Sequence, residues 1–283
     1  MFLNGLEQLL RRKIVLTAVA ATLVFLGLFW WGVSAAAGAE IPGNGGEEEF
    51  QAAKMLKPAD AALAAVITSA PLAATLITAL MIVIGSTMLP EEIDEGRMPF
   101  WLSLPQSRLK VYSLTSLAPL ALSFVLALLI FGGILAITRS YFMFTPRNLL
   151  LVPVSMLSWL AVVWSAVILL SLLVRKVAAM LIAFFLTAVS SLFGGLHEIM
   201  RMFPGEAPPL LESITRAVIL LFPADRGYRG VLYGIIPSDA AITENLAFFG
   251  VTAGVPALQL AYALFWSLVL LALGYWRFRR MDF

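Results

Sequence analysis

Six stretches of this chain run for 20 residues or more without one Asp, Glu, Lys, Arg or His: residues 14–38, 61–89, 114–137, 149–174, 177–196 and 256–276. A helix rises about 1.5 Å per residue, so roughly 20 apolar residues cross the hydrocarbon layer of a bilayer. A charge placed at mid-membrane costs about 2.5 to 3.5 kcal/mol on insertion scales, which explains why every ionisable side chain sits in a connection or at a helix end. The pattern predicts an all-α integral membrane protein, a single domain over 1–283 with six transmembrane helices.

Composition agrees, with 61% hydrophobic and only 13% charged residues, where a soluble domain carries about a quarter charged. The net charge of +2 is too small to point to nucleic acid. Its basic residues cluster beside the apolar runs, where lipid headgroups are the natural partner. With no cysteine, the chain has neither disulfides nor thiolate chemistry.

Arg11, Arg12 and Lys13 precede the first run, which exceeds the usual h-region of a cleaved signal peptide and reads as a signal-anchor helix. Pro71 and Pro153 fall inside predicted spans and read as kinks. Only Arg175 and Lys176 separate the fourth and fifth runs, predicting a tight antiparallel hairpin. With the N-terminus inside, the inner segments hold Arg11, Arg12, Lys13, Arg97, Arg108, Lys110, Arg175, Lys176, Arg277, Arg279 and Arg280, which is 11 of the 19 basic residues. That bias predicts cytoplasmic N- and C-termini. Residues 197–255 are then external, and their short apolar stretches at 217–222 and 247–251 predict interfacial or re-entrant helices before the sixth span.

Catalytic signatures are sparse. His197-Glu198 lacks the second histidine of an H-E-x-x-H zinc site, and no P-loop occurs, so any ATP must be bound by another chain. The spans also lack the intramembrane carboxylate or base on which ion-coupled transporters depend. They do carry small and hydroxyl-bearing residues at helical spacing: Thr68, Thr75 and Thr78 in the second run, Thr187, Ser190 and Ser191 in the fifth. Such faces serve either close helix packing or a mildly polar conduit or dimer face.

The connection at 90–112 carries four acids, an apolar stretch with Phe100 and Trp101, a Leu-Pro pair and a basic end, which reads as a surface helix. Through Glu91, Glu92, Glu95, Gly96, Leu102, Leu104, Pro105, Ser107 and Arg108 it resembles the cytoplasmic signature of ABC-2 type exporter permeases. Arg97 stands where that family usually has Thr. A second likeness, to the external Pro-containing element before the last helix of such permeases, lies at 221–230. The nearest flavour is the branch containing the nitrous oxide reductase maturation permease.

The resemblance implies a multi-pass subunit of the cytoplasmic membrane that binds no cofactor itself. Its coupling helix at 90–112 would contact P-loop ATPase subunits holding ATP and Mg, and it would pair with a second permease copy or a paralogue for export. Two other classes remain open on the residues alone. One is a secondary transporter. The other is a membrane-embedded enzyme or assembly factor acting through His197, Glu198, Asp225, Arg226, Tyr228 and Arg229 of the external segment.

Overall fold

The computed structural model describes residues 13–38, 58–96, 98, 107–142, 145–202, 208–236 and 254–281. Eight helices carry them: α1 (Lys13–Gly38), α2 (Pro58–Asp94), α3 (Arg108–Phe142), α4 (Leu151–Leu173), α5 (Lys176–Met202), α6 (Pro209–Leu221), α7 (Ala224–Ile235) and α8 (Ala257–Arg279). Six of them, α1 to α5 and α8, are long and apolar enough to span a membrane. Among the described residues there is no strand. This follows from solvent chemistry, because a chain in lipid must satisfy its backbone polar groups within each spanning segment.

The hub of the bundle is α4. Its most apolar window is 78% buried, against 22% for α5 and for α8, and it packs on α2, α3, α5, α7 and α8. Trp164 and Val167 of α4 close directly over Gly85 of α2, where an added Cβ would stand 2.7 Å from either side chain. Small residues permit that approach, and dispersion at short range is the main attraction between helices in lipid. Peripheral α1 packs on α2 and α3 and leaves Leu16, Leu23, Leu28 and Trp31 exposed, as a lipid- or partner-facing helix does.

At 37 and 35 residues, α2 and α3 are about 55 and 52 Å long, well beyond the roughly 30 Å hydrocarbon core. Both therefore have length to spare, taken up by tilt or by ends that leave the bilayer. The prolines divide. Pro71 and Pro90 of α2 and Pro119 of α3 lie inside helices. Pro153 stands in the first turn of α4, whose N-cap is Leu150. There its missing N–H would have had no intrahelical partner, so the expected kink is replaced by an ordinary helix start.

The two short helices before α8 differ in burial. Amphipathic α6, mostly exposed, packs on α5. By contrast α7, 12 residues and about 18 Å long, cannot cross the bilayer and is buried on nearly all sides. Gly227, Gly230 and Gly234 form one face of it, at spacings that line up along a helix. A Cβ on Gly227 would lie 2.5 Å from the Trp159 nitrogen, one on Gly230 2.8 Å from Ser155 Cβ, and one on Gly234 2.8 Å from Val152 Cγ2. The glycine face thus lets α7 lie against α4 backbone to backbone, and the Asn148 N–H donates to the Gly234 carbonyl at 3.0 Å to fasten its far end. The stretch at 247–251 lies outside the described residues.

Candidate functional site

Three polar regions lie along the bundle. The first is where α2 ends and α3 begins. Glu91 and Glu92 occupy the last turns of α2, and Glu95 and Gly96 turn the chain out of it. Gly96 takes φ +67°, a left-handed conformation that glycine adopts without a Cβ clash. Leu102, Leu104 and Pro105 lie outside the described residues. The Ser107 hydroxyl accepts from the Lys110 N–H at 3.3 Å and so caps α3.

Two side chains of this region fasten it to the rest of the bundle. Glu91 pairs with Lys176 Nζ at 2.7 Å, joining the end of α2 to the start of α5. Arg108 donates to the carbonyls of Arg279 at 2.9 Å and Met281 at 3.4 Å, where its charge faces the negative end of the α8 dipole. These contacts place the end of α2, the start of α3, the α4–α5 turn and the basic end of α8 at one end of the molecule.

The second region is a cavity of about 300 Å³ between α2 and α5 that opens at the bundle surface, with Pro71, Thr75, Phe184, Ala188 and Ser191 exposed. Pro71, Ala74, Thr75 and Thr78 of α2 form one wall, and Phe184, Thr187, Ala188 and Ser191 of α5 form another. Trp159 of α4 and Ala224, Asp225 and Tyr228 of α7 close it. Thr75 Oγ1 donates to the Pro71 carbonyl at 2.8 Å, and Thr187 Oγ1 donates to the Ala183 carbonyl at 2.9 Å. A hydroxyl bound in this way keeps acceptor lone pairs, so the α2 and α5 walls are polar without carrying charge, while α7 brings the Asp225 carboxyl to the lining. The Tyr228 hydroxyl has no hydrogen-bond partner among the described residues.

Of the six hydroxyl residues expected on one face, the structure gathers Thr75, Thr78, Thr187 and Ser191 here. Thr68 does not line the cavity; it is exposed and bonded to the Ala64 carbonyl of its own helix. Ser190 is fully buried beside it, donating to the Phe222 carbonyl at 2.8 Å and accepting from the Asp225 N–H at 3.4 Å. One helical step of about 100° separates its joining role from the cavity role of Ser191.

The third region lies where α5 ends against α7. Glu198 Oε1 accepts from Arg226 at 3.1 Å, and Arg201 approaches Glu198 Oε2 at 3.5 Å. Asp225 pairs with Arg229 one turn along α7, at 2.5 Å. Burial pushes the Asp225 carboxyl up from its ordinary range, and the guanidinium groups of Arg229 and Arg226 pull it back. Burial outweighs that pull, so the carboxyl stays above its ordinary range. No activated nucleophile stands in this cluster: its carboxylates are engaged by arginines, and no group of three or more metal-ligand side chains occurs among the described residues. The pairing of Glu198 with Arg226, 28 residues apart, had no local signal in the sequence.

The family model described as ABC-2 family transporter protein matches residues 3–283. No curated protein matches the chain.

Proposed function

The chain belongs to the ABC-2 transporter family, and from that premise we propose that it forms the translocation path of an exporter of the cytoplasmic membrane, driven by a separate P-loop ATPase. As a multi-pass membrane subunit of an ABC transporter it acts with an ABC ATPase, in which ATP and Mg are bound. Its contact to that partner is the connection at 90–112, with Leu102, Leu104 and Pro105 at its centre. Two permease chains, identical or paralogous, complete the path, and both termini are cytoplasmic.

The observation that carries this reading is the Glu91–Lys176 pair. It ties the foot of the proposed contact segment to the foot of α5, and both α2 and α5 wall the 300 Å³ cavity. A rigid-body push on the segment would then reach two cavity walls together, the kind of linked helix movement on which alternating access is built.

Affinity capture from detergent-solubilised native membranes, followed by an ATPase assay, tests the partner. A stoichiometric ATPase is expected, lost when Leu104 and Pro105 are replaced by aspartate and glycine. Recovery of the chain alone, or capture indifferent to those changes, would overturn the reading.

Because the chain has no cysteine, single thiols probe the cavity against a silent background. Thr75→Cys and Ser191→Cys line the cavity, whereas Leu192→Cys, at a side chain 69% exposed on the bundle exterior, faces lipid. The thiolate is the reacting form and hydrocarbon suppresses it. A water-soluble maleimide is expected to label the first two at least about tenfold faster than the third. Trapping the partner ATPase with vanadate should change the cavity rates alone; equal rates at all three positions would remove the conduit.

A further inference from the structure

Three spanning helices touch the corner between α6 and α7, and residues along each can be counted from one face of the membrane. The Glu91–Lys176 pair and the Arg108 bonds bring the start of α5, the α4–α5 turn and the end of α8 to one end of the molecule. Lys176 starts α5 and Val174 caps α4, while Trp276 of α8 lies under Arg280 at 3.9 Å, an aromatic and basic pair of the kind that sits at the headgroups. A hydrocarbon core of roughly 30 Å takes about 20 residues from those points, and so ends near residue 196 of α5, 154 of α4 and 256 of α8.

On all three helices the corner lies short of that limit. The Ser190 hydroxyl of α5 donates to the Phe222 carbonyl at 2.8 Å, the Tyr262 hydroxyl of α8 donates to the Leu220 carbonyl at 2.7 Å, and Gly227 of α7 rests on Trp159 of α4. Ser190 and Tyr262 each stand 14 residues from their starting points and Trp159 stands 15, about 21 to 23 Å, which leaves about 8 to 9 Å of hydrocarbon beyond them. The chain goes down to this corner and comes back. While α5 runs on to Met202, 12 residues past Ser190, α6 is about 20 Å long and packs on α5, which returns the chain to the corner. From there α7 climbs along α4 until Gly234 meets Val152, at the limit of the core.

The polarity of α6 changes where this geometry requires. Glu212 and Arg216 pair across one turn within its first eight residues, and the last five, 217–221, are all apolar. Arg216 is six residues from Phe222, about 9 Å along the helix, which returns it to headgroup level. Deeper than Arg216, Leu220 and Leu221 are 57% and 65% exposed, at a level from which water is excluded. A lipid surface sets such a boundary by height, whereas a protein partner has no reason to.

We propose that α6 and α7 form a re-entrant hairpin dipping into the leaflet opposite the Glu91–Lys176 end, with Leu220 and Leu221 among the acyl chains and Arg216 among the headgroup phosphates. The partner of this surface is lipid. Ala224, Asp225 and Tyr228 of the same hairpin close the hydroxyl-lined cavity, so lipid packed on α6 bears on a cavity wall. This placement does not depend on the exporter reading.

The test uses the cysteine-free full chain in phosphatidylcholine liposomes, with a nitroxide attached in turn at Ser213→Cys, Ala217→Cys, Leu220→Cys and Leu221→Cys, all exposed positions. Relaxation by oxygen, which dissolves in hydrocarbon, is compared with relaxation by a water-soluble nickel chelate. Moving a polar solute into hydrocarbon costs it its hydrogen bonds to water, so the chelate should be at least about tenfold less effective at Leu221 than at Ser213, and oxygen more effective. If the label at Leu220 spoils folding, Ala217 and Leu221 answer the same question. Labels at the last turn that are open to the chelate would put the corner in water, and labels closed to both reagents would put it against protein, such as a second copy of the chain; either result overturns the proposal.

Discussion

Replacing Gly194 by alanine is expected to destabilise the protein severely, while the same change at Gly195, the next residue, is neutral or stabilising. A Cβ built on Gly194 would lie on the Asp225 carboxylate, 2.8 Å from Oδ1 and closer still to Cγ and Oδ2. That carboxylate has a side chain only 2% exposed and is engaged by Arg229, so it cannot swing into water unless α7 moves with it. Displacing one partner of a buried ion pair costs about 3–5 kcal/mol, against which the gain of about 1 kcal/mol for removing a helical glycine is small.

At Gly195 the nearest atom is Arg229 Nη2 at 3.7 Å, an ordinary contact, so the helical gain stands alone. Thermal midpoints in one detergent should therefore fall by at least about 5 °C for Gly194→Ala and hold or rise for Gly195→Ala. Equal losses at both positions would mean that the carboxylate does not rest on Gly194.

The two glycines show where sequence reasoning stops. Exclusion of charge from six apolar runs is a property of each residue taken singly, and it was enough to reveal an all-helical membrane protein. Likewise the hydroxyl face could be read from spacing, because periodicity along one helix is local; four of its six members meet at the cavity. Which of two adjacent residues faces it depends on the neighbour, and so Ser190 and Ser191 were grouped when a helical step divides them.

Pro153 was misread for a related reason. An apolar run shows where a helix can sit in lipid but not where its first hydrogen-bonded turn begins. Least legible was α7. Its arginines and aspartate look like a wetted external surface, yet the glycines between them let the helix be buried against α4 while its charges pair inward. Spacings of three and seven between Gly227, Gly230 and Gly234 were the available signal, identical in kind to the small-residue faces read in the spans.

How that buried charge is arranged sets the last prediction, in which Glu198 matters more than Arg226 although they are partners in one pair. Both side chains are nearly inaccessible, at 6% and 9% exposure. Taking away Glu198 leaves the buried Arg226 without its carboxylate, and Arg201 without the oxygen that it approaches. Taking away Arg226 leaves two arginines and two carboxylates, with Arg201 already 3.5 Å from Glu198.

Glu198→Gln should therefore cost about 3–5 kcal/mol, in the range for an orphaned buried charge, and Arg226→Met only about 1–3 kcal/mol. The double variant removes the charge and its orphan together. It should unfold at least about 1 kcal/mol later than the sum of the single losses allows. Unfolding in lipid nanodiscs measures all three. If Arg226→Met proves the worse single change, the pair is not neutralised as the geometry implies and Arg201 does not reach Glu198 in the membrane.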